Sequence, residues 1–485
     1  MLTQQQKITL LPDKDIISLY KPLILIGIFF FLFYTLLSNR HIDHQSPQYI
    51  AKSKQTIYPY QYNTNNTNDP TNINHIVIGT SSTVDLLRYR KPYIDSWWRP
   101  NVTKGYLFLD REPTKFLPWP SSSIPYRVSE STLKYKPYDK HPTKSSIRMF
   151  RVIAETFREA SREEGIRWFV MTDDDTILFI DNLVDVLQKY DHRKYFYIGE
   201  NAESVLSNFD NSFEMAFGGA GYAISYPLAE ALSKNVDVCI KRYPTTFGSD
   251  HLMQSCVADL GVSLTHEKGF HQIDLHKDLW GFLSAHPQAP TVSLHHLEVV
   301  DPLFPCMDRI KAVNQLMKAA KVDESRLLQQ TICYDNTKHW SFSIAWGYTA
   351  QIYEKIIPPS ILEMPLETFV PWRKPPKQPY MFNPRWFPKN PCDIPHLFFL
   401  QSVEIINGDN QILTTYTRRT TRDLPPCSRS SPDIPNYITN IIVISPTTKY
   451  IAQGGSRREC CDILDQVENN VTTIKYRACA DNQIS

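Results

Sequence analysis

The stretch Arg167-Trp168-Phe169-Val170-Met171-Thr172-Asp173-Asp174-Asp175-Thr176 decides the fold. Its apolar part has the length and composition of a buried strand, and it runs directly into three consecutive carboxylates. Neighbouring like charges raise each other's pKa, so a divalent cation is the obvious partner for such a triplet. An EF-hand loop that began at Asp173 does not fit, because its fifth and twelfth positions would be Ile177 and Val184. The stretch predicts a strand that ends at a metal-binding loop, with a solvated turn or a helix cap as the alternatives.

Strands and helices alternate around this stretch. The patterns predict strands over 75–80, 105–110, 167–172 and 195–199, and helices over 83–98, 147–160 and 182–190. Residues 111–145 are rich in Pro, Ser and Lys and are predicted to be a loop. Alternating strands and helices are typical of an α/β fold with a parallel sheet. Ligands of such sheets bind beyond the carboxyl ends of the strands, where the acidic triplet falls.

The composition excludes several classes of protein. The chain has 485 residues, and its 52 Lys and Arg residues nearly balance its 50 Asp and Glu residues. A net charge of +2 does not indicate a nucleic-acid partner. The 42% hydrophobic content is too high for a largely disordered chain.

The first part of the chain predicts a membrane anchor. Residues 22–38 carry no charge and are apolar all round, which favours an uncleaved transmembrane helix over a cleaved signal peptide. Three basic residues lie on each side, so charge alone does not orient the segment. We predict a cytosolic tail over 1–21, a polar stem over 39–73 and a body in the lumen of the secretory pathway.

Cysteines and glycosylation motifs support the luminal orientation. All nine cysteines lie after residue 238, without the spacing of a zinc ribbon, which favours disulfides in an oxidising compartment. The odd number leaves at least one thiol free or paired between chains. Three Asn-x-Ser/Thr motifs, at Asn65, Asn101 and Asn470, follow the apolar segment and are candidate glycosylation sites, although chance also produces such motifs.

The C-terminal part differs in composition. Residues 346–395 are rich in proline and are predicted to connect a body over 74–345 to a further domain over 396–485. Strand patterns recur there over 397–406, 411–417, 439–445 and 472–476, and five of the nine cysteines lie beyond residue 391. We therefore predict a small β-rich domain with disulfides.

Three further stretches contain candidate site residues. FGGAGYAIS at 217–225 has three glycines within four residues, which predicts either a close approach to a ligand or a tight turn. Asp250 stands ahead of a predicted helix over 252–260, as either a helix cap or a base. His295 and His296 end a strand-like run, where they are either metal ligands or structural.

Together these stretches resemble the Fringe-like β-1,3-glycosyltransferases, and most of all their plant branch, long described as a family of unknown function. The resemblance is carried by WFVMTDDDT at 168–176, FGGAGYAIS at 217–225, GSDHLMQSC at 248–256 and SLHHLE at 293–298. Similarity to Fringe spans about 75–300. Similarity to the plant branch continues through Glu459, Cys460, Cys461 and Asp462 to Cys479.

The resemblance implies a Rossmann-like, GT-A type domain over 74–345 in a single-pass type II Golgi membrane protein. The implied reaction is a metal-dependent, inverting transfer from a UDP-sugar to a hydroxyl of a glycan or glycoprotein acceptor, in β-1,3 linkage.

The resemblance also implies roles for individual residues. Asp175 is the main ligand of Mn²⁺, supported by Asp173 and Asp174 through the metal or the ribose. His296 completes the metal shell, with His295 as the competing ligand. Asp250 is the general base, although Ser249 stands where Fringe has a second acid. Gly218, Gly219, Ala220 and Gly221 line the acceptor side.

Two other functions are compatible with these residues. A catalytically silent glycan- or protein-binding protein would share the fold, but has no physical need to keep the triplet, Asp250 and His296 together. A metal-dependent hydrolase would use the same acids and histidines without a UDP-sugar.

Overall fold

The computed structural model describes residues 69–137, 140–373, 379–406, 410–419, 435–449, 457–464 and 470–483, together with Ile26 and Ile28. The predicted anchor over 22–38 otherwise lies outside the described residues, as do Asn65 and most of the predicted stem. Among the helices that are described, none combines the length and apolarity needed to cross a bilayer. From Asp69 onward the chain forms one compact unit.

The described part from Asp69 onward contains α-helices and short 3₁₀-helices. The α-helices are α1 (Leu87–Trp97), α2 (Ser146–Ala160), α3 (Ile180–Leu187), α4 (Val205–Asp210), α5 (Tyr226–Arg242), α6 (Gly248–Asp259), α7 (Trp280–Leu283), α8 (Arg309–Val322) and α9 (Pro359–Leu362). The 3₁₀-helices are Ile73–His75, Thr114–Phe116, Leu133–Tyr135, Pro391–Asp393 and Pro435–Tyr437.

Twenty strands lie in the same described part. Those of the first half are β1 (Ile76–Ser81), β2 (Lys104–Leu109), β3 (Tyr126–Val128), β4 (Trp168–Asp173), β5 (Ile177–Leu178), β6 (Tyr197–Gly199), β7 (Tyr222–Ser225), β8 (Leu264–His266), β9 (Phe270–His271), β10 (Leu275–Lys277) and β11 (Ser293–Leu294). Those of the second half are β12 (Gln330–Asp335), β13 (Trp340–Ala345), β14 (Thr349–Tyr353), β15 (Phe369–Pro371), β16 (His396–Ile406), β17 (Gln411–Arg418), β18 (Asn440–Pro446), β19 (Cys460–Leu464) and β20 (Val471–Arg477).

A seven-stranded sheet with the order β3-β2-β1-β4-β7-β6-β8 holds the acidic triplet. The prediction of a wholly parallel sheet was wrong, because β7 runs antiparallel to both β4 and β6. The remaining pairs in this sheet are parallel. The edge strand β3 lies within the segment that was predicted to be a loop. It was missed because three residues are too few to show a strand pattern. The fold is thus mixed α/β, as the alternation of elements indicated.

Both faces of this sheet are buried. Ile76 and Ile78 of β1 belong to one core, and the intervening Val77 belongs to a second core on the opposite face. Alternate side chains of a strand point to opposite faces, so each strand supplies both cores. Apolar residues of α2, α5 and α6 cover the second face. This burial explains the uninterrupted apolar run before the triplet.

An eight-stranded sheet with the order β12-β13-β14-β16-β17-β18-β20-β19 forms the C-terminal part. Its strand pairs are antiparallel except β18 with β20. The four strands predicted after residue 396 are present, but the sheet begins earlier, at Gln330. The predicted boundary at 345 falls between β13 and β14, which pair with each other. The first core of the seven-stranded sheet extends through α8 into this sheet.

The predicted disulfides are confirmed. Cys239–Cys256 joins α5 to α6, and Cys333–Cys461 joins β12 to β19, the two edge strands of the eight-stranded sheet. Cys460–Cys479 closes a short loop at the C-terminus, and Cys392 is also disulfide-bonded. Cys306 is a free, exposed thiol.

Candidate active site

The acidic triplet stands at the carboxyl end of β4, beside the end of the parallel strand β1. Ser82, which follows β1, donates a hydrogen bond from Oγ to Asp174 Oδ2 at 2.5 Å. The backbone turns sharply after Asp173, whose N–H donates to Thr176 Oγ1 at 3.1 Å. Asp174 and Asp175 are both buried. The triplet therefore points into the protein at the strand ends and is not a solvated turn.

Two basic side chains contact the carboxylate of Asp175. Its Oδ1 lies 3.1 Å from Nε2 of the buried His295, and its Oδ2 forms an ion pair with Nη1 of Arg90. Arg90 comes from α1, and its Nη2 lies 3.1 Å from Glu298 Oε1. One arginine thus bridges the triplet and the end of the SLHHLE stretch.

His296 faces a different carboxylate. Its Nδ1 lies 3.4 Å from Asp274 Oδ1, and its ring stacks on the indole of Trp372 with centroids 4.3 Å apart. The same indole stacks on His276, at 4.5 Å. The two neighbouring histidines therefore have different surroundings, which their adjacency in the sequence does not reveal.

The glycine-rich stretch is a tight turn packed against the site. The N–H of Gly221, whose φ is +84°, donates to the carbonyl of Gly218 at 3.0 Å. A Cβ on Gly218 would overlap the carboxylate of Asp250, and one on Gly219 would overlap the ring of His295. Ala220 N–H donates to Gln272 Oε1 at 2.9 Å, which holds the turn in place. Small residues are required here because two candidate site residues lie directly on the turn.

Asp250 lies in the first turn of α6 and is not the helix cap, since the N-cap residue is Phe247. Its carboxylate accepts hydrogen bonds from the Gly218 N–H and from Ser249 Oγ, the latter at 3.0 Å. The turn thus brings the candidate base next to the residues predicted to bind metal.

Burial favours the protonated forms of two carboxyls of the triplet. It raises the pKa of Asp173 to about 8, against the lowering effect of His295, and the carboxylates of Asp250, Asp175 and Asp174 raise it further. Burial also raises the pKa of Asp174 to about 6, although the hydrogen bond from Ser82 opposes the shift. These carboxyls lose protons more readily when a further cation is present.

Asp175 and His295 form the charged pair at the centre. Burial alone would raise the pKa of Asp175, but the charge and hydrogen bond of His295 and the charge of Arg90 hold it well below its usual range. Burial likewise opposes the charge on His295, yet Asp175 raises the pKa of this imidazole to about 9. Burial raises the pKa of Asp250.

The side chains present fit a divalent cation. Asp175, His295 and His296 offer ligand atoms within 4.8 Å of one another. Nδ1 of His295 is buried and has no hydrogen-bond partner among the described residues. A carboxylate with imidazoles is a donor set that Mn²⁺ and related ions accept. The choice between the two histidines stays open, because both belong to the group.

Several side chains of the site were missed by the sequence analysis, namely Ser82, Arg90, Asp274, Glu298 and Trp372. Glu298 belongs to a stretch that was singled out, and its position two residues after the histidine pair was a usable signal. The others lie in segments without a motif. Of the candidate glycosylation sites, Asn101 and Asn470 are exposed. Both have a positive φ, which is typical of Asn in turns.

Two protein-family models match the chain. Residues 72–299 match the family model described as Fringe-like, and residues 207–461, more than half of the chain, match "Protein of unknown function, DUF604".

Individual relatives are glycosyltransferases. A β-1,3-glucosyltransferase of Mus musculus is 31% identical over 154 residues, covering 31% of this chain and 29% of that protein. The corresponding protein of Homo sapiens is 29% identical over 154 residues, covering 31% and 28%. The β-1,3-N-acetylglucosaminyltransferase lunatic fringe of Danio rerio is 27% identical over 208 residues, covering 39% and 50%. The chain thus spans half or less of the length of these relatives.

A solved structure of a glycosyltransferase involved in glycosylating the major capsid of PBCV-1 matches 50% of this chain and 98% of its own. Its identity to this chain is 11% and its TM-score is 0.26. Since the DUF604 match covers more than half of the chain, the chain belongs to the DUF604 family, and its residues 72–299 are similar to the Fringe-like family.

Proposed function

We propose that this protein is a metal-dependent, inverting glycosyltransferase that moves a sugar from a UDP-sugar to a hydroxyl of a glycan or glycoprotein, in β-1,3 linkage. The observation that carries the proposal is the turn at Gly218 and Gly219. It places a half-buried carboxylate, Asp250, beside the metal-capable pair of Asp175 and His295. The β-1,3 specificity of the relatives supports the linkage.

Asp250 is proposed to act as the base. As the acceptor oxygen forms its bond to the anomeric carbon, the hydroxyl proton passes to the Asp250 carboxylate and the bond from that carbon to the UDP oxygen breaks. A single displacement of this kind inverts the anomeric centre and needs no covalent nucleophile. The raised pKa of Asp250 makes its carboxylate a better proton acceptor.

Asp175, with His295 or His296, is proposed to hold the metal, and Asp173 and Asp174 are proposed to support the metal or the ribose. A divalent ion such as Mn²⁺ supplies positive charge that stabilises the departing diphosphate. Arg90 keeps Asp175 and Glu298 in fixed positions through its ion pairs. The donated sugar is proposed to be a hexose or an N-acetylhexosamine.

We propose that the protein works in the Golgi lumen as a single-pass type II membrane protein anchored by residues 22–38. The uncharged apolar stretch and the disulfides of the described region support this placement. Both sugar-nucleotide transfer and stable disulfides suit the secretory pathway.

The test uses purified full-length protein, a panel of UDP-sugars and glycan acceptors, and Mn²⁺ or EDTA. We expect product and UDP release to depend on one donor and on Mn²⁺, and to be lost in Asp175→Asn. Asp181→Asn, at a mostly exposed carboxylate of α3, is the matched control and should keep activity.

Three outcomes contradict the proposal. Binding of UDP-sugars without turnover for any acceptor would indicate a silent binding protein. Hydrolysis of simple phosphate or glycoside esters without a UDP-sugar would indicate a hydrolase. Unchanged turnover in Asp175→Asn would refute the metal assignment.

A further inference from the structure

A second cluster of metal-ligating side chains lies outside the candidate active site. It consists of Glu203, which precedes α4, His271 of β9, and His286, which follows α7. Their ligand atoms lie within 4.8 Å of one another, and the cluster shares no residue with the Asp175 group. The proposed transfer reaction does not use these side chains.

The carboxylate of Glu203 is oriented toward both histidines. Its Oε2 accepts a hydrogen bond from the Ile273 N–H at 2.7 Å, which fixes the group. The other oxygen, Oε1, lies 3.0 Å from His271 Nδ1 and 3.9 Å from His286 Nε2. Around a tetrahedral zinc ion with bonds of about 2.0–2.1 Å, ligand atoms lie about 3.3 Å apart. The observed spacing thus needs only small side-chain movements to reach that geometry.

Packing against neighbouring side chains positions the two imidazoles of the cluster, and one of their ring nitrogens has no hydrogen-bond partner among the described residues. His286 stacks on Phe282 with centroids 4.4 Å apart and lies against Phe382 at 4.6 Å. His271 is buried, with 3% of its surface exposed, and its Nε2 has no hydrogen-bond partner in the described ranges. The ring nitrogen of His271 that faces Glu203 is Nδ1, so this nitrogen and not Nε2 would bind an ion shared with Glu203.

A cavity of about 420 Å³ opens beside the cluster, and Glu203, His271 and His286 all form part of its wall. Lys268 adds a polar group to the wall, and Met381 an apolar one. An ion held by the three side chains would have protein on one side and open space on the other. This is the arrangement of zinc sites with three protein ligands and one exchangeable position.

We propose that Glu203, His271 and His286 bind a zinc ion, with a fourth coordination position open to the cavity for water or a small anionic ligand. Zinc is favoured because two imidazoles and one carboxylate are its usual partners, whereas harder ions such as Mg²⁺ prefer sites made of oxygen. This site is independent of the proposed glycosyltransferase reaction.

The test is metal titration of purified, metal-stripped full-length protein. The probes are Zn²⁺, followed by calorimetry, and Co²⁺, whose four-coordinate complexes absorb visible light strongly. His286→Gln and Glu203→Gln remove one ligand each, Asp175→Asn removes a ligand of the other group, and Cys306→Ser removes the exposed thiol. Circular dichroism and thermal unfolding check that each variant is folded.

We expect a four-coordinate Co²⁺ spectrum and a zinc site that survive in Asp175→Asn and Cys306→Ser. In His286→Gln and Glu203→Gln the affinity should fall at least about 10–100-fold, the loss already typical for outer-shell partners of a metal. The proposal is overturned if folded His286→Gln and Glu203→Gln bind Zn²⁺ and Co²⁺ as the unaltered protein does. It is equally overturned if the spectrum disappears only in Asp175→Asn.

Discussion

The indole of Trp372 lies flat on the imidazole of His296, with centroids 4.3 Å apart and 11° between the ring planes. Trp372 also donates its backbone N–H to the carbonyl of Asp274 at 3.2 Å, and the carboxylate of Asp274 faces the same histidine. The strand pair β10 and β15 brings Trp372 to this position. A segment beyond the region matched as Fringe-like therefore forms part of the candidate site.

Replacing Trp372 should loosen His296. We expect Trp372→Ala to weaken Mn²⁺ binding about 10–100-fold, because second-layer contacts orient the ligating imidazole. The measurement is Mn²⁺ titration of activity, with Trp386→Ala, at a side chain that is 70% exposed, as the control. Equal Mn²⁺ dependence in both variants would show that the stacking does not support the site.

The two glycines of the turn should have separable roles. In Gly219→Ala the new methyl group overlaps His295, so Mn²⁺ binding should weaken. In Gly218→Ala it overlaps Asp250, so kcat should fall while Mn²⁺ affinity is retained. Each variant serves as the control for the other, in Mn²⁺ titrations and steady-state kinetics. The assignment of Asp250 and His295 fails if both variants lose metal affinity equally.

Asp250→Asn should lower kcat by about 10²–10⁴-fold, the usual contribution of a general base. Binding of UDP and Mn²⁺ should persist, because Asp250 is not among the grouped ligand atoms. Asp259→Asn, at the other end of α6, is the control. Retention of more than about a tenth of kcat would exclude Asp250 as the base.

The pH profile should report on Ser249. The base acts in its deprotonated form, so kcat/KM falls as the pH falls through the pKa of Asp250, which burial raises. The hydrogen bond from Ser249 Oγ stabilises the carboxylate and opposes that shift. Ser249→Ala should therefore move the acid limb to higher pH. Ser255 Oγ donates a hydrogen bond to the His251 carbonyl, so Ser255→Ala should leave the acid limb in place. A shift of the acid limb to lower pH in Ser249→Ala would contradict this role of Ser249.

The disulfide between the edge strands β12 and β19 should stabilise the C-terminal sheet. Replacing Cys333 and Cys461 by Ala should lower the free energy of unfolding by about 2–5 kcal/mol, since the bond closes a long loop in the unfolded chain. Denaturant unfolding measures the loss, and Cys306→Ser should show none. An unchanged unfolding midpoint would mean that other contacts already hold the two edges together.

Features with a local cause were predictable from the sequence. The apolar run of β4 and the charges after it required only that a strand be buried on both faces. Helix α2 followed from apolar residues at helical spacing, and it lies at 146–160 where 147–160 was predicted. The antiparallel strand β7 was missed, because the stretch 217–225 was singled out for its glycines and was not predicted to be a strand.

The candidate site was predictable only in part. The acids, the glycines and the histidine pair were found because each forms a recognisable run in the chain. Arg90 was missed, since nothing local distinguishes it from other exposed-looking arginines of an amphipathic helix. Its ion pair with Asp175 exists because α1 packs beside the end of β4, and that packing has no local signature.

The chain on its own determined that there is a buried strand ending in three acids, and that disulfides and a β-rich part follow. Only the tertiary structure decided that His295 faces Asp175 while His296 lies between Asp274 and Trp372, and that the C-terminal sheet shares a core with the first. The reason is physical: periodicity and runs of charge depend on near neighbours. The contact of His295 with Asp175 joins residues 120 positions apart, and that of His296 with Trp372 joins residues 76 positions apart, so only packing brings them together.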